Sequence, residues 1–131
     1  MTKGIKIIII VIVLALIAGG IFIIYNARAP KVTDCASDIT TMTYTSAKTF
    51  APSCIRVPSG TVITYTNQSS DTLLVAIDPH PIHTGNKEVS NGEFTLAVAP
   101  GASATTTVTT KGTFGIHDHA NFGARATIVV E

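Results

Sequence analysis

The four histidines of the chain fall in two short clusters, each at the end of a predicted strand. His80 and His83 form one cluster, and His117 and His119 form the other. Residues two apart in a β-strand share a face, so His117 and His119 point the same way, with stems about 7 Å apart. Neutral imidazole is a ligand for copper, zinc, nickel and iron. The clustering therefore predicts one metal site to which both clusters contribute ligands.

Two aspartates lie beside these histidines. Metal-bound imidazoles usually donate their second ring nitrogen to a carboxylate or carbonyl. Asp78 and Asp118 are therefore expected to orient the imidazoles from outside the ligand set. Two other interpretations stay open, namely exposed histidines on polar loops, or a core position for His117 with its ring hydrogen-bonded to a carbonyl.

The two cysteines, Cys35 and Cys54, have no histidine near them in sequence. In an oxidising compartment a single pair of cysteines is most simply a disulfide. We therefore predict a Cys35–Cys54 bond, and the alternative is that one thiolate binds the metal.

A long apolar run precedes the cysteines. Apolar residues make up 46% of the chain, and Ile7 to Tyr25 contains no charged side chain. As a helix these residues would span about 28 Å, close to the thickness of a bilayer core. A cleaved signal peptide is the rival, but its apolar region is normally shorter. We predict an uncleaved anchor within residues 1–26, a linker over residues 27–38, and a domain over residues 39–131.

The anchor places the remainder of the protein on the extracytoplasmic side of the cell membrane, as a single-pass protein. Residues 32–131 carry five Lys and Arg against eight Asp and Glu, a net charge of −3 with neutral histidines. This charge argues against nucleic acid or an anionic membrane surface as a partner. The predicted partners are the membrane, through the N-terminal helix, and a redox protein or copper donor.

From Ile39 onward, Thr-, Val- and Ser-rich segments alternate with turn residues. This pattern is typical of an all-β sandwich or barrel, and no helical period is present. The predicted strands are Ile39–Ser46, Ser53–Pro58, Thr61–Asn67, Thr72–Ile77, Glu93–Ala99, Ser103–Thr110, Gly112–His117 and Ala124–Val130. The longest segment without a strand, residues 78–92, contains His80 and His83, and such loops are more often functional than idle.

Several segments together resemble the cupredoxins, the copper proteins of the plastocyanin and azurin kind. The matching segments are residues 50–67 (FAPSCIRVPSGTVITYTN), Pro100-Gly101, residues 111–114 (KGTF) and residues 126–130 (ATIVV). Residues 78–84 (DPHPIHT) and 115–121 (GIHDHAN) further resemble a bacterial subgroup with a His-Asp-His element. The resemblance implies a cupredoxin-like Greek-key β-sandwich of seven to eight strands with a metal at one pole.

The sequence departs from that family at the ligands. A blue copper site uses two histidines, a cysteine thiolate and a weak axial methionine. No cysteine follows Cys54, and the only methionines are Met1 and Met42. His117 stands nearest to the thiolate position. The resemblance therefore implies a copper site built from nitrogen, without the blue colour.

Three functions follow for the exported domain. The first is binding of one copper ion through His83, His117 and His119, with His80 as fourth ligand or nearby, for electron transfer or copper handling. The second is a metal-free interaction module. The third is a small metalloenzyme with an open position for water, and zinc is the alternative metal. Enzyme activity ranks last, because only Asp118, Asp78 and Glu88 are available for acid–base work and no nucleophile motif is present.

Overall fold

A computed structural model describes residues 34–131. The predicted membrane anchor, Ile7 to Tyr25, lies outside these residues. Within residues 34–131 no helix is both long and apolar enough to cross a bilayer. The described residues, 34–131, belong to one compact unit.

The described chain is all-β, as the sequence predicts. A short 3-10 helix, Lys87–Ser90, lies in the loop that carries two of the histidines. The strands are β1 (Ala36–Ser37), β2 (Thr41–Tyr44), β3 (Phe50–Ala51), β4 (Cys54–Val57), β5 (Thr61–Asn67), β6 (Leu73–Ile77), β7 (Leu96–Val98), β8 (Ser103–Val108), β9 (Gly112–Asp118) and β10 (Asn121–Val130).

These strands form a sandwich of two sheets. The six-stranded sheet has the order β1-β4-β10-β9-β6-β7, and the four-stranded sheet has the order β3-β2-β5-β8. Most neighbours are antiparallel, but β4 pairs parallel to both β1 and β10, and β2 pairs parallel to β5. Parallel neighbours need long crossover connections. Here the chain passes through the other sheet between such neighbours, as it does between β1 and β4.

The core lies between the sheets, and strict alternation of side chains fills it. In β5, Ile63 and Tyr65 are buried, whereas Thr64 between them is not. In the six-stranded sheet, Val75, Ile77 and Ile116 face the same core. Side chains that alternate with these three along β6 and β9 therefore point to the opposite face of the sheet, which we call the outer face.

The strand boundaries differ from the predicted ones mainly at the ends. β2 stops at Tyr44 because Thr45 and Thr49 close a turn through a 2.9 Å backbone hydrogen bond. The short strand β3 follows this turn and was not predicted. β9 and β10 extend to Asp118 and from Asn121, so the connection between them is tighter than expected.

The Cys35–Cys54 disulfide is present, which confirms the predicted pair. It packs with Val129 on the outer face. The first strand, β1, follows Cys35 and pairs with β4. The folded unit therefore includes residues that the sequence assigned to the linker over residues 27–38, because the disulfide fixes that segment to the sheet.

Reduction of this disulfide is expected to lower the free energy of unfolding by roughly 3 kcal/mol. The bond joins residues 19 apart, and a loop of that size removes a corresponding amount of unfolded-chain entropy. Denaturant unfolding of oxidised protein against reduced and alkylated protein measures the difference. The Cys35→Ala/Cys54→Ala variant is the control, since reductant should not move its midpoint. An equal midpoint for oxidised and reduced protein would contradict the expectation.

Candidate metal centre

The six-stranded sheet brings the two histidine clusters together. β6 and β9 are neighbours, and their register places Ala76 beside His117. Ile116 faces the core, so His117 projects from the outer face. In the loop after β6, the Asp78 amide donates to the Gly115 carbonyl of β9 at 2.9 Å, and the His83 amide donates to the Pro79 carbonyl at 2.8 Å.

The four histidines meet in one cluster. One ring nitrogen of each of His80, His83, His117 and His119 lies within 4.8 Å of the others. Nε2 of His117 is 3.3 Å from Nδ1 of His80 and 3.1 Å from Nε2 of His83. Nδ1 of His119 is 3.2 Å from that same His83 atom. All four predicted ligands are therefore in one place.

Two of the rings have their second nitrogen committed to an acceptor. Nδ1 of His117 is 2.7 Å from Oδ1 of Asp78. Nδ1 of His83 is 3.2 Å from the backbone carbonyl oxygen of Phe94. Carboxylate and carbonyl oxygens accept, so both Nδ1 atoms carry the proton. This tautomer leaves the lone pair of each ring on Nε2.

The two Nε2 lone pairs then face each other across 3.1 Å. Two acceptors at that distance cannot form a hydrogen bond without an added proton. His83 is 1% and His117 is 0% exposed, and burial lowers the pKa of both imidazoles, although Asp78 opposes the shift at His117. An extra proton is therefore disfavoured, whereas a metal ion satisfies both lone pairs at once.

The other two histidines are half-buried and form the solvent-facing side of the cluster. His80 stacks on Phe122, with ring centroids 5.3 Å apart and planes 18° apart. His119 meets the edge of Phe94 at 5.5 Å. Neither His80 nor His119 has a carboxylate or carbonyl partner for its second nitrogen among residues 34–131. The site thus has a fixed, buried half and a less constrained half.

Asp78, a predicted orienting residue, has one carboxylate oxygen 2.7 Å from Nδ1 of His117. Its other oxygen accepts a hydrogen bond from a guanidinium nitrogen of Arg125 at 3.1 Å. Arg125 is the register partner of His117 on β10, and its Nε donates to the Phe122 carbonyl at 3.1 Å. Gly115 is needed beneath Asp78, since a Cβ there would lie 2.4 Å from the carboxylate.

Asp118 differs from its predicted role, because its described hydrogen bonds reach no imidazole. Its Oδ2 accepts from the Tyr44 hydroxyl at 2.7 Å, and its Oδ1 accepts from the Leu74 amide at 3.2 Å. The alternation that sends His117 and His119 to the outer face sends Asp118 to the core side. Burial, together with the Asp118 carboxylate, raises the pKa of Tyr44 to about 12, so the hydroxyl remains a donor.

Glu88 serves the loop and not acid–base chemistry. Its carboxylate accepts from the backbone amides of Thr110 and Thr109 at 3.0 and 2.7 Å, and from both hydroxyls. The Thr110 amide and the other hydrogen bonds lower the pKa of Glu88 to about 2. Glu88 is therefore ionised at neutral pH, and its hydrogen bonds anchor the histidine-bearing loop to the β8–β9 turn.

The lowered pKa values of His83 and His117 predict that the metal-free protein loses stability in mild acid. Their folded pKa values lie below the unfolded value of about 6.5, so the unfolded chain binds more protons. Stability should be constant above pH 6.5 and fall as pH drops from there towards the folded pKa values. Glu88 contributes in a separate window, from about 4.5 to about 2.

Thermal unfolding of metal-free protein between pH 8 and pH 5 measures this effect. The His83→Gln/His117→Gln variant is the control, because it removes both titrating groups and should flatten the curve in that range. A wild-type midpoint that rises on acidification would contradict the burial argument.

Comparison with known proteins gives matches at the level of structure. No protein-family model and no curated protein sequence matches the chain. A purple cupredoxin from Nitrosopumilus maritimus superposes with a TM-score of 0.58 at 13% identity, covering 71% of this chain and all of that protein. Two amicyanin mutants in Cu(I) forms give TM-scores of 0.55 and 0.57 at 18% and 15% identity, each covering 78% of this chain and 90% of amicyanin. The chain therefore has the cupredoxin-like fold, with a cluster of four histidines on it.

Proposed function

We propose that this protein binds one copper ion through His80, His83, His117 and His119, and that it serves in electron transfer or copper handling. One observation carries the proposal, namely the two buried Nε2 lone pairs that face each other across 3.1 Å. The fold adds support, because the solved amicyanins with the same fold include Cu(I) forms.

The donor set favours an all-nitrogen copper centre. Both cysteines are joined in the disulfide, and Met42 is buried in the core. Within residues 34–131 no sulfur atom is therefore available to the cluster. Imidazole sites bind divalent copper more tightly than zinc in the Irving–Williams order, which leaves zinc as the competing metal.

The histidines have different tasks in this proposal. His83 and His117 hold fixed lone pairs because Phe94 and Asp78 fix their tautomers. His80 and His119 complete the set from the half-exposed side, where a redox protein or a copper donor would approach. A bound copper ion would supply a one-electron Cu(II)/Cu(I) couple.

We further propose that Ile7 to Tyr25 anchors the protein in the cell membrane, with the copper domain on the extracytoplasmic side. The support is the uncharged length of that segment and the disulfide, which fits an oxidising compartment. The full-length chain should stay with membranes through a carbonate wash. Intact chain in the aqueous fraction would contradict the anchor.

Metal analysis of the full chain tests the copper proposal. The protein is purified in detergent without added metal or affinity histidines, then titrated with Cu(II) and with Zn(II) by calorimetry. We expect one tight copper site per chain and displacement of zinc by copper. A chain that takes up no metal would favour the metal-free interaction module instead, and tighter zinc than copper binding would favour the metalloenzyme.

The Asp78→Asn variant should lower copper affinity by about 10- to 100-fold. The amide still accepts from His117, but it lacks the negative charge that makes the imidazole a stronger ligand. Asp71→Asn is the matched control, because Asp71 is an exposed carboxylate paired with Lys48 and has no contact with the cluster. Calorimetry decides the matter, and equal affinities for the two variants would refute the orienting role of Asp78.

A further inference from the structure

The buried carboxylate between two of the histidines connects three parts of the fold. Asp118 lies between His117 and His119 on the chain and is 4% exposed. Its Oδ1 accepts from the Leu74 amide of β6 and the Ala120 amide of the β9–β10 turn, both at 3.2 Å. Hydrogen bonds to a charged acceptor are about twice as strong as neutral ones. Asp118 therefore fixes the turn against the neighbouring strand.

The remaining oxygen of Asp118 reaches across the core. Tyr44 belongs to β2 of the four-stranded sheet and is 1% exposed. Its hydroxyl donates to Oδ2 of Asp118 at 2.7 Å, and its ring packs against Phe50 with centroids 5.2 Å apart. Asn121 in turn donates to the Tyr44 oxygen at 3.4 Å. One hydroxyl thus connects the second sheet to the backbone that carries His117 and His119.

We propose that Tyr44 is a positioning residue for the metal centre, acting through Asp118 from the opposite sheet. The inference rests on the proposed copper function. None of the four histidines lies on β2, so the proposed ligands alone give this strand no role. His117 and His119 project from the outer face, while the residue between them is held from the core side. Movement of Asp118 therefore displaces both ligand stems together, and ring nitrogens spaced at 3.1–3.3 Å leave little tolerance.

Tyr65 offers a matched comparison on the adjacent strand. It is also fully buried, and its hydroxyl donates to the Val89 carbonyl at 3.0 Å in the 3-10 helix. That helix is held independently, because Thr106 and the Glu88 carboxylate anchor it as well. Loss of the Tyr65 hydroxyl should therefore lower stability without moving the ligands, whereas Asp118 has no other partner in the four-stranded sheet within residues 34–131.

The experiment compares Tyr44→Phe with Tyr65→Phe in the full chain in detergent. Tyr44→Phe should weaken Cu(II) binding about 10-fold, which is the lower end of the range for residues that support metal ligands without binding the metal. It should also change the copper hyperfine splitting in electron paramagnetic resonance. Tyr65→Phe should lower the melting temperature but leave affinity and spectrum at wild-type values. Wild-type affinity and spectrum in Tyr44→Phe, or equal changes in both variants, would overturn the inference.

The conservative variant Asp118→Asn gives an independent check. Its amide oxygen can still accept from Leu74 and Ala120, and its amide nitrogen can donate to the Tyr44 oxygen. Copper affinity should therefore fall less than in Asp118→Ala. Combining Asp118→Ala with Tyr44→Phe should cause no further loss of copper affinity, because both changes break the same hydrogen bond between Tyr44 and Asp118. Additive losses would show that Tyr44 acts by another route and would overturn the inference.

Metal-free protein separates this inference from the copper proposal. Hydrogen exchange of the Leu74 and Ala120 amides, whose acceptor is Asp118, should accelerate in Tyr44→Phe and not in Tyr65→Phe. Unchanged exchange would overturn the positioning role even if copper binds. If the wild-type protein bound no copper, the copper proposal would fail, while accelerated exchange would still support the role of Tyr44 in holding the turn.

Discussion

Replacement of His117 by alanine is expected to reduce copper affinity by more than about 100-fold. His117 is fully buried, and its Nε2 lies within 3.3 Å of nitrogens from both His80 and His83. Its removal deletes a ligand from the centre of the cluster. The loss of copper affinity should therefore exceed the 10- to 100-fold effect of residues that only support metal ligands. The double variant His117→Ala/His119→Ala should show no stoichiometric binding in calorimetry.

The exposed half of the site supplies the internal comparison. His80→Ala removes a half-buried ring with no fixed tautomer, whereas His117→Ala removes a buried ring whose tautomer is fixed by Asp78. The loss of copper affinity should therefore be smaller for His80→Ala. His83→Ala should match His117→Ala, because both rings are fixed by an acceptor. Circular dichroism confirms that each variant is folded. Stoichiometric binding and an unchanged spectrum in the double variant would mean that copper binds elsewhere.

The second large effect is optical. Copper-loaded protein is expected to lack the intense charge-transfer band near the red end of the visible spectrum, because that band requires a thiolate ligand. Cys35 and Cys54 are bonded to each other on the outer face beside Val129, and the four-histidine cluster contains no sulfur. Bound Cu(II) should instead show the weak absorption of a nitrogen-ligated centre.

The Cys35→Ala/Cys54→Ala variant is the control for this spectrum. It should bind copper with the same absorption as the wild type, although its stability is lower. An intense red band in the wild type that disappears in this variant would show that a thiolate is a ligand and would contradict the nitrogen-only site.

Much of the fold was predictable because alternating side chains and the turn residues between strands indicate β-strands in the sequence. β5 is predicted with its observed bounds, Thr61–Asn67. The short strands β1 and β3 were missed because two residues carry no periodic signal. Their places depend on the disulfide for β1 and on the turn at Thr45 for β3, and neither leaves an alternating pattern in the strand residues themselves.

The ligand candidates were predictable because histidines are rare in this chain and occur in two clusters. Asp78 was predicted as an orienting residue and lies 2.7 Å from His117. Asp118 was given the same role from proximity in sequence alone. The alternation that was used for His117 and His119 already places Asp118 on the other face, so that signal was available.

Other parts of the site could not be predicted from one sequence. Arg125 reaches Asp78 because it pairs with His117 across a register shift between Asn121 and Arg125. Phe94 flanks the rings from the loop before β7, and Phe122 flanks them from the start of β10. Tyr44 lies 74 positions from Asp118. Such contacts depend on sheet order and register, which local patterns do not fix.

Pulsed electron paramagnetic resonance on the copper-loaded full chain tests the central claim most directly. The modulation from the remote nitrogen of each bound imidazole counts the histidines on one Cu(II) ion. The four-histidine cluster predicts at least three coupled imidazoles, with one fewer after His83→Ala. A spectrum with one imidazole or none, or the same count in His83→Ala as in the wild type, would contradict a single copper site shared by the two histidine clusters.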